Sequence, residues 1–278
     1  MALVIILGMH RSGTSFLGRA LHAAGLWMDD VYDSSECSNL EGHWESRRAF
    51  AINEQILFLS GGTWHEVPRE IVRTDDVDRS VQEFLSNLRS HSPAGWKDPR
   101  MVVTWPCWQP FLKPEDHLVA TYRHPLAVAR SLEIREGWPY ERSLGIWCEY
   151  NERLLRITDG RPNVVWFDFD APPQALSERL GQICRRLGLP HEDEACRQFN
   201  PFLRHHNVNA NISDTRASRL YGCLRERSGA GTMVASSAIT GVSGLPLEQQ
   251  LEYLSRALGL MDGVMQRMRH DAMATTDS

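Results

Sequence analysis

The chain has 278 residues, 42% of them hydrophobic and 23% charged, a balance ordinary for a globular domain. Its formal net charge of −5 argues against nucleic acid as the main partner. Six cysteines without a C-x-x-C pair argue against a zinc site, and the apolar opening run stops at Gly8, short of a signal peptide or membrane span, so a cytoplasmic protein is expected.

Ala2–Leu7 (ALVIIL) is a continuous, β-branched apolar run, the pattern of a strand covered on both faces of a parallel sheet. A glycine-bearing turn follows. The spacing of Phe16, Leu17, Ala20, Leu21 and Ala24 then predicts a helix over Ser15–Ala24, closed at Gly25. Residues 29–45 read as polar and irregular. A helix is predicted from Ser46 to Leu59, broken by Gly61-Gly62, and another over Asp75–Arg89, with Val77, Val81, Phe84, Leu85 and Leu88 on one face. A short strand at Gly95–Lys97 leads into K-D-P-R and an apolar segment from Met101 to Leu112.

His117–Tyr122 reads as a second buried strand, running into Arg123-His124-Pro125 and a helix over Leu126–Glu136 with proline at its start. A long helix at Tyr140–Thr158, a strand at Asn163–Asp168 and an amphipathic helix at Pro173–Leu187, ended by Gly188, complete the regular part. Residues 228–244 are rich in Gly, Ser, Ala and Thr and read as a mobile loop. A last amphipathic helix over 246–269 is expected to pack on the sheet or on a second copy, which leaves a homodimer open. Alternating strands and helices imply an α/β fold, a three-layer α/β/α single domain over 1–278 with a central parallel sheet, of the P-loop nucleoside-triphosphate-hydrolase-like kind. Ligands on such sheets sit at the carboxyl ends of the strands, where Arg11 and Arg123 both fall.

The turn after the first strand reads L-G-M-H-R-S-G-T-S-F-L, Leu7 to Leu17. Gly8 and Gly13 have the spacing of a Walker phosphate loop, yet Thr14 stands where that loop has lysine, and Arg11 lies inside it. Successive backbone N–H groups at a glycine turn, backed by a helix N-terminus, bind anions; Arg11 adds a charged fork, and Thr14 and Ser15 add hydroxyls. A plain strand–turn–helix connection is the alternative. The strand ends carry Lys97, Arg123 and Asp168 rather than one clear Walker-B aspartate, which weakens a magnesium-dependent kinase or NTPase.

The H-R-S-G-T-S-F-L and T-Y-R-H-P-L-A-V-A-R-S-L segments together resemble those of sulfotransferases, which move a sulfuryl group from 3′-phosphoadenosine-5′-phosphosulfate (PAPS) to a hydroxyl or amine. The resemblance implies that His10, Arg11, Ser12, Gly13, Thr14, Ser15 and Phe16 cradle the 5′-phosphosulfate, with Phe16 towards the adenine. It implies that Arg123 and Ser131 grip the 3′-phosphate. N-L-E-G-H-W-E (39–45), W-K-D-P-R (96–100) and F-N-P-F-L-R-H-H (199–206) are similar to segments of the bacterial branch, whose acceptors are small molecules, carbohydrates or lipids. The basic block that the cytosolic eukaryotic branch carries later in the chain is absent; residues 216–227 stand in its place and could form a basic lid.

Sulfuryl transfer needs in-line positioning, charge stabilisation and a base for the acceptor hydroxyl. Glu41, His43 and Glu45 are the candidates. Glu45 is preferred because it closes the branch's G-x-[WF]-E pattern, although it could equally serve only the first turn of the following helix. Lys97 and Arg11 are expected at the sulfuryl group, and an internal ion-pair cluster of Lys97, Asp98 and Arg100 is the alternative for Lys97. The adjacent pair His205-His206, pointing apart and without a carboxylate at ligand spacing, is not read as a metal site. Trp44, Trp64, Trp96, Trp105 and Trp108 would suit stacking on a sugar, but core packing explains most of them. A kinase-like enzyme or a catalytically silent nucleotide-binding relative are the competing readings.

Overall fold

A computed structural model describes residues 2–32, 42–199 and 212–229. The first half holds β1 (Leu3–Leu7), α1 (Thr14–Ala23), β2 (Trp27–Met28), β3 (Val31–Tyr32), β4 (Glu45–Ser46), α2 (Arg47–Leu59) and α3 (Asp75–Arg89). Then come β5 (Ala94–Lys97), α4 (Met101–Trp108), β6 (His117–Tyr122), α5 (Pro125–Glu136), α6 (Tyr140–Thr158) and β7 (Val164–Asp168). The last described elements are α7 (Pro173–Leu187), α8 (Glu192–Arg197) and α9 (Thr215–Ser228).

Five strands form one parallel sheet in the order β2-β5-β1-β6-β7, with β1 at its centre. The strict alternation of a strand divides β1 between two cores. Leu3, Ile5 and Leu7 pack with side chains of α2 to α6 and α9, while Val4 and Ile6 pack with α1, α7 and α8. Both faces are therefore covered, which is why this strand reads as an unbroken apolar run. The α/β class, the parallel sheet and the layering are as expected.

Two local departures have physical causes. β3 and β4 pair antiparallel inside the segment expected to be irregular, but two residues per strand leave no periodicity to read. The apolar segment after Lys97 is α4 followed by a 3₁₀ turn at Gln109–Phe111. α4 buries Met101, Val102, Val103, Thr104, Trp105, Cys107 and Trp108, so it has no polar face to reveal a helical stripe. Residues 216–227, which could form a basic lid, lie within α9, which seats Ala217, Leu220 and Leu224 on the core. Residues 230–244 of the expected loop, the helix over 246–269 and residues 200–206 lie outside the described residues.

Candidate active site

The loop between β1 and α1 is clamped from two sides. Ser12 N–H donates to the Met9 carbonyl (3.2 Å), and Thr121 Oγ1 of β6 donates to the Ser12 carbonyl (2.8 Å). Gly13 has φ 84°, and a Cβ there would lie 2.3 Å from the Phe169 ring, so both backbone and packing demand glycine. Arg11 takes φ 66°, an unusual conformation for a side-chain-bearing residue. Ser46, Thr74, His124 and Asp214 cap the first turns of α2, α3, α5 and α9, whereas α4, α6, α7 and α8 have no side-chain cap. At α1 the N-cap is Gly13, with no side-chain cap and no acidic residue in the first turn. The positive end of its dipole thus opens onto the loop.

Beside β6, the two sequence motifs meet. Arg11 Nε donates to Ser131 Oγ at 2.8 Å, across a separation of 120 residues. Arg123 Nη1 donates to the Arg11 carbonyl (3.3 Å), its Nε lies 3.5 Å from Asp170 Oδ1, and its guanidinium sits 5.3 Å from the Phe169 ring centroid. His124 N–H donates to the same Asp170 carboxylate. Burial, then repulsion from Arg135 and Arg123, lowers the Arg11 pKa to about 10. Three guanidinium groups are thus gathered around the loop.

Beside β5, cations and carboxylates alternate in a buried chain. Lys97 Nζ donates to Glu45 Oε1 (2.7 Å), to the His43 carbonyl (2.8 Å) and to Ser15 Oγ (3.4 Å). Glu45 Oε2 accepts from Arg100 Nη1 (3.1 Å), which also donates to Asp98 Oδ1 (3.0 Å), and Arg100 Nε pairs with Glu54. Asp98 Oδ2 accepts from Asn53 Nδ2 (2.9 Å), and Asn53 Oδ1 accepts from Thr104 Oγ1 (2.6 Å) and Trp108 Nε1 (2.8 Å). Burial alone would raise the Glu45 pKa, but Lys97 and Arg100 outweigh it and hold the carboxyl at about 2. Burial pulls Lys97 down and is opposed by Glu45. Burial raises Asp98.

Lys97 therefore joins Ser15, next to the loop, to Glu45, and the expected ion-pair cluster of Lys97, Asp98 and Arg100 shares Glu45 with that link, while Arg11 turns to Ser131. His43 contributes its carbonyl, and Glu41 lies outside the described residues. Phe16 packs among Phe167, Phe169 and Phe199, with centroids 5.7–6.1 Å apart. Trp96, Trp105 and Trp108 are core, whereas Trp44 and Trp64 are partly exposed. Two buried polar atoms of the loop, His10 Nε2 and Ser12 Oγ, have no hydrogen-bond partner among the described residues. Sequence reasoning missed Asn53, Glu54 and Asp170. Asn53 left a signal: it interrupts the buried stripe of Ala49, Ile52, Ile56 and Leu57, and a polar residue on an apolar face needs partners. Among the described residues no group of three His, Cys, Asp or Glu side chains is placed to hold a metal ion. None of their helices is long and apolar enough to cross a membrane.

No family model matches the chain, and no curated protein matches it. Solved structures do. The sulfotransferase domain from the curacin biosynthetic pathway aligns at TM-score 0.52 and 16% identity, over 80% of this chain and 97% of that one. The sulfotransferase domain of the Synechococcus PCC 7002 olefin synthase gives TM-score 0.48 and 17% identity, over 92% of this chain and 94% of that one. Sulfotransferase STF1 from Mycobacterium tuberculosis H37Rv gives 0.39 and 16%, over 82% and 76%. On the first of these likenesses, the chain has the fold of a sulfotransferase domain.

Proposed function

We propose that this chain is a sulfotransferase that takes the sulfuryl group of PAPS and passes it to a hydroxyl or amine of a small-molecule, carbohydrate or lipid acceptor. The observation that carries the reading is the 2.8 Å bond from Arg11 to Ser131, with Arg123 on the Arg11 carbonyl. A loop suited to a 5′-phosphosulfate and a strand-end pair suited to a 3′-phosphate become one cationic surface, matching a ligand with anionic groups at both positions. The uncapped first turn of α1 and the unpartnered Ser12 Oγ add donors on the same loop.

In this reading the backbone of residues 12–15 and Arg11 hold the phosphosulfate, with His10 and Phe16 at its margins. Lys97, reaching Ser15 Oγ, neutralises charge that develops on the transferring group. Glu45 keeps Lys97 in place. To take the acceptor proton it would have to release Lys97 or Arg100, and at a pKa of about 2 it is a weak base.

A magnesium-dependent kinase is disfavoured by the same geometry. The strands flanking β1 lead into Lys97 and Arg123, Glu45 and Asp98 are engaged by cations, and Asp168 stands on the edge strand β7. Thermal unfolding with 3′-phosphoadenosine-5′-phosphate (PAP), ATP–magnesium and AMP tests the choice. Selective stabilisation by PAP without magnesium is expected, and a preference for ATP–magnesium overturns the proposal.

A further inference from the structure

We infer that His10, the loop residue before Arg11, takes the proton from the acceptor hydroxyl. The inference rests on the sulfotransferase reading above.

His10 is only 8% exposed, and its Nε2 has no hydrogen-bond partner among the described residues. A buried polar atom left unsatisfied forfeits its hydrogen bond to water, so the position suits a ligand group that completes it. The ring cannot easily swing to find another partner. It lies 4.3 Å from the Trp64 ring, with Tyr150 edge-on at 6.1 Å, and the Tyr150 hydroxyl is already donated to the Trp64 carbonyl (2.8 Å).

The groups acting on His10 come from several elements. Arg100 and Lys97 lie on the α4 and β5 side, Glu45 is on β4, and Arg135 is on α5; Trp64 and Tyr150 add no charge. Burial first, then the three cations, keep the imidazole well below its usual pKa of 6.5 against the opposing pull of Glu45. At pH 7 it is neutral, and in the Nδ1–H tautomer it presents Nε2 as an acceptor. Glu45, by contrast, has both oxygens in ion pairs.

The step balances without a further reactant. As the acceptor oxygen bonds to sulfur, its proton moves to Nε2. The bond from sulfur to the bridging oxygen breaks, and its electron pair leaves with PAP. The imidazolium then gives its proton to solvent, a loss that Arg100 and Lys97 favour. Trp64 and Trp138, 5.4 Å apart and partly exposed, wall this side with aromatic surface, so aromatic probes suit the test.

His10→Gln is assayed with PAPS and two probe acceptors: benzyl alcohol, which must lose a proton, and p-nitrophenol at pH 8, which is already ionised. Expected is a loss with benzyl alcohol about a hundredfold greater than any loss with p-nitrophenolate. Equal losses with both probes would indicate a structural role and overturn the inference, as would unchanged transfer to benzyl alcohol. So would a wild-type chain that binds PAP yet transfers to neither. If His10→Gln does not fold, the wild-type benzyl alcohol profile decides: an acid limb below pH 6.5 supports His10, and a rate that stays flat down to acid unfolding overturns it. Failure of PAP to stabilise the wild type is a separate outcome that removes the sulfotransferase reading itself.

Discussion

The two flanks of the loop solve the burial of charge in opposite ways. Beside β5, Lys97 and Arg100 are matched by Glu45, Asp98 and Glu54, and Asn53 ties the chain into α2 and α4. Beside β6, Arg135 and Arg123 depress the Arg11 pKa, opposed only in part by Glu136, which pairs with the exposed Arg135 at 3.0 Å, and Asp170 lies 3.5 Å from Arg123 Nε. The first flank is an internally neutralised scaffold whose removal is destabilising. The second concentrates positive charge, and under the proposed function an arriving polyanion offsets the cost. Stability and ligand binding should therefore separate by flank.

The largest effect is expected from Glu45→Ala, which leaves Lys97 and Arg100 buried without their shared carboxylate. Chemical denaturation should show a loss of about 3–5 kcal/mol. A near-neutral result would mean that the β5 flank is not the scaffold. Acid titration examines the same flank. The Glu45 pKa is depressed in the folded chain, from 4.5 to about 2, so its contribution is present above pH 4.5 and is lost as pH falls towards 2. Wild type should lose about 3 kcal/mol more than Glu45→Gln across that window.

On the other flank, Arg11→Met loses one hydrogen bond, to Ser131, together with the repulsion from Arg135 and Arg123, and should change the ligand-free stability by about 1 kcal/mol or less. It should abolish the stabilisation by PAP, worth about 2.7 kcal/mol in wild type at a hundredfold excess over Kd. A drop in ligand-free stability comparable with that of Glu45→Ala would erase the contrast. The smallest effect sharpens it: Thr74→Ala removes the cap of α3 and should cost about 1 kcal/mol while leaving the PAP response intact.

What was legible in the sequence follows from the range of each interaction. β1 and β6 are runs buried on both faces, and α3, α6 and α7 carry apolar stripes, so local order alone announces them. β4, two residues long, and α4, apolar all round, have no period to detect. The loop and the Arg123–Ser131 pair are compact motifs and could be read directly. The partnership of Glu45 with Lys97 and Arg100 joins residues more than fifty positions apart, and the isolation of His10 Nε2 depends on Trp64 and Tyr150 from two other elements. Spacing carries neither.

The pairing of Ile6 with Lys97 and of Leu7 with Ala120 acts as a ruler for the proposed chemistry. A one-residue slip of β5 would turn Lys97 to the opposite face of the sheet, and a two-residue slip would carry its ammonium about 6.6 Å along the strand. The reach from that ammonium to the loop is therefore written in backbone hydrogen bonds at the centre of the domain. Segments at the rim can change length or composition to suit a different acceptor without altering it.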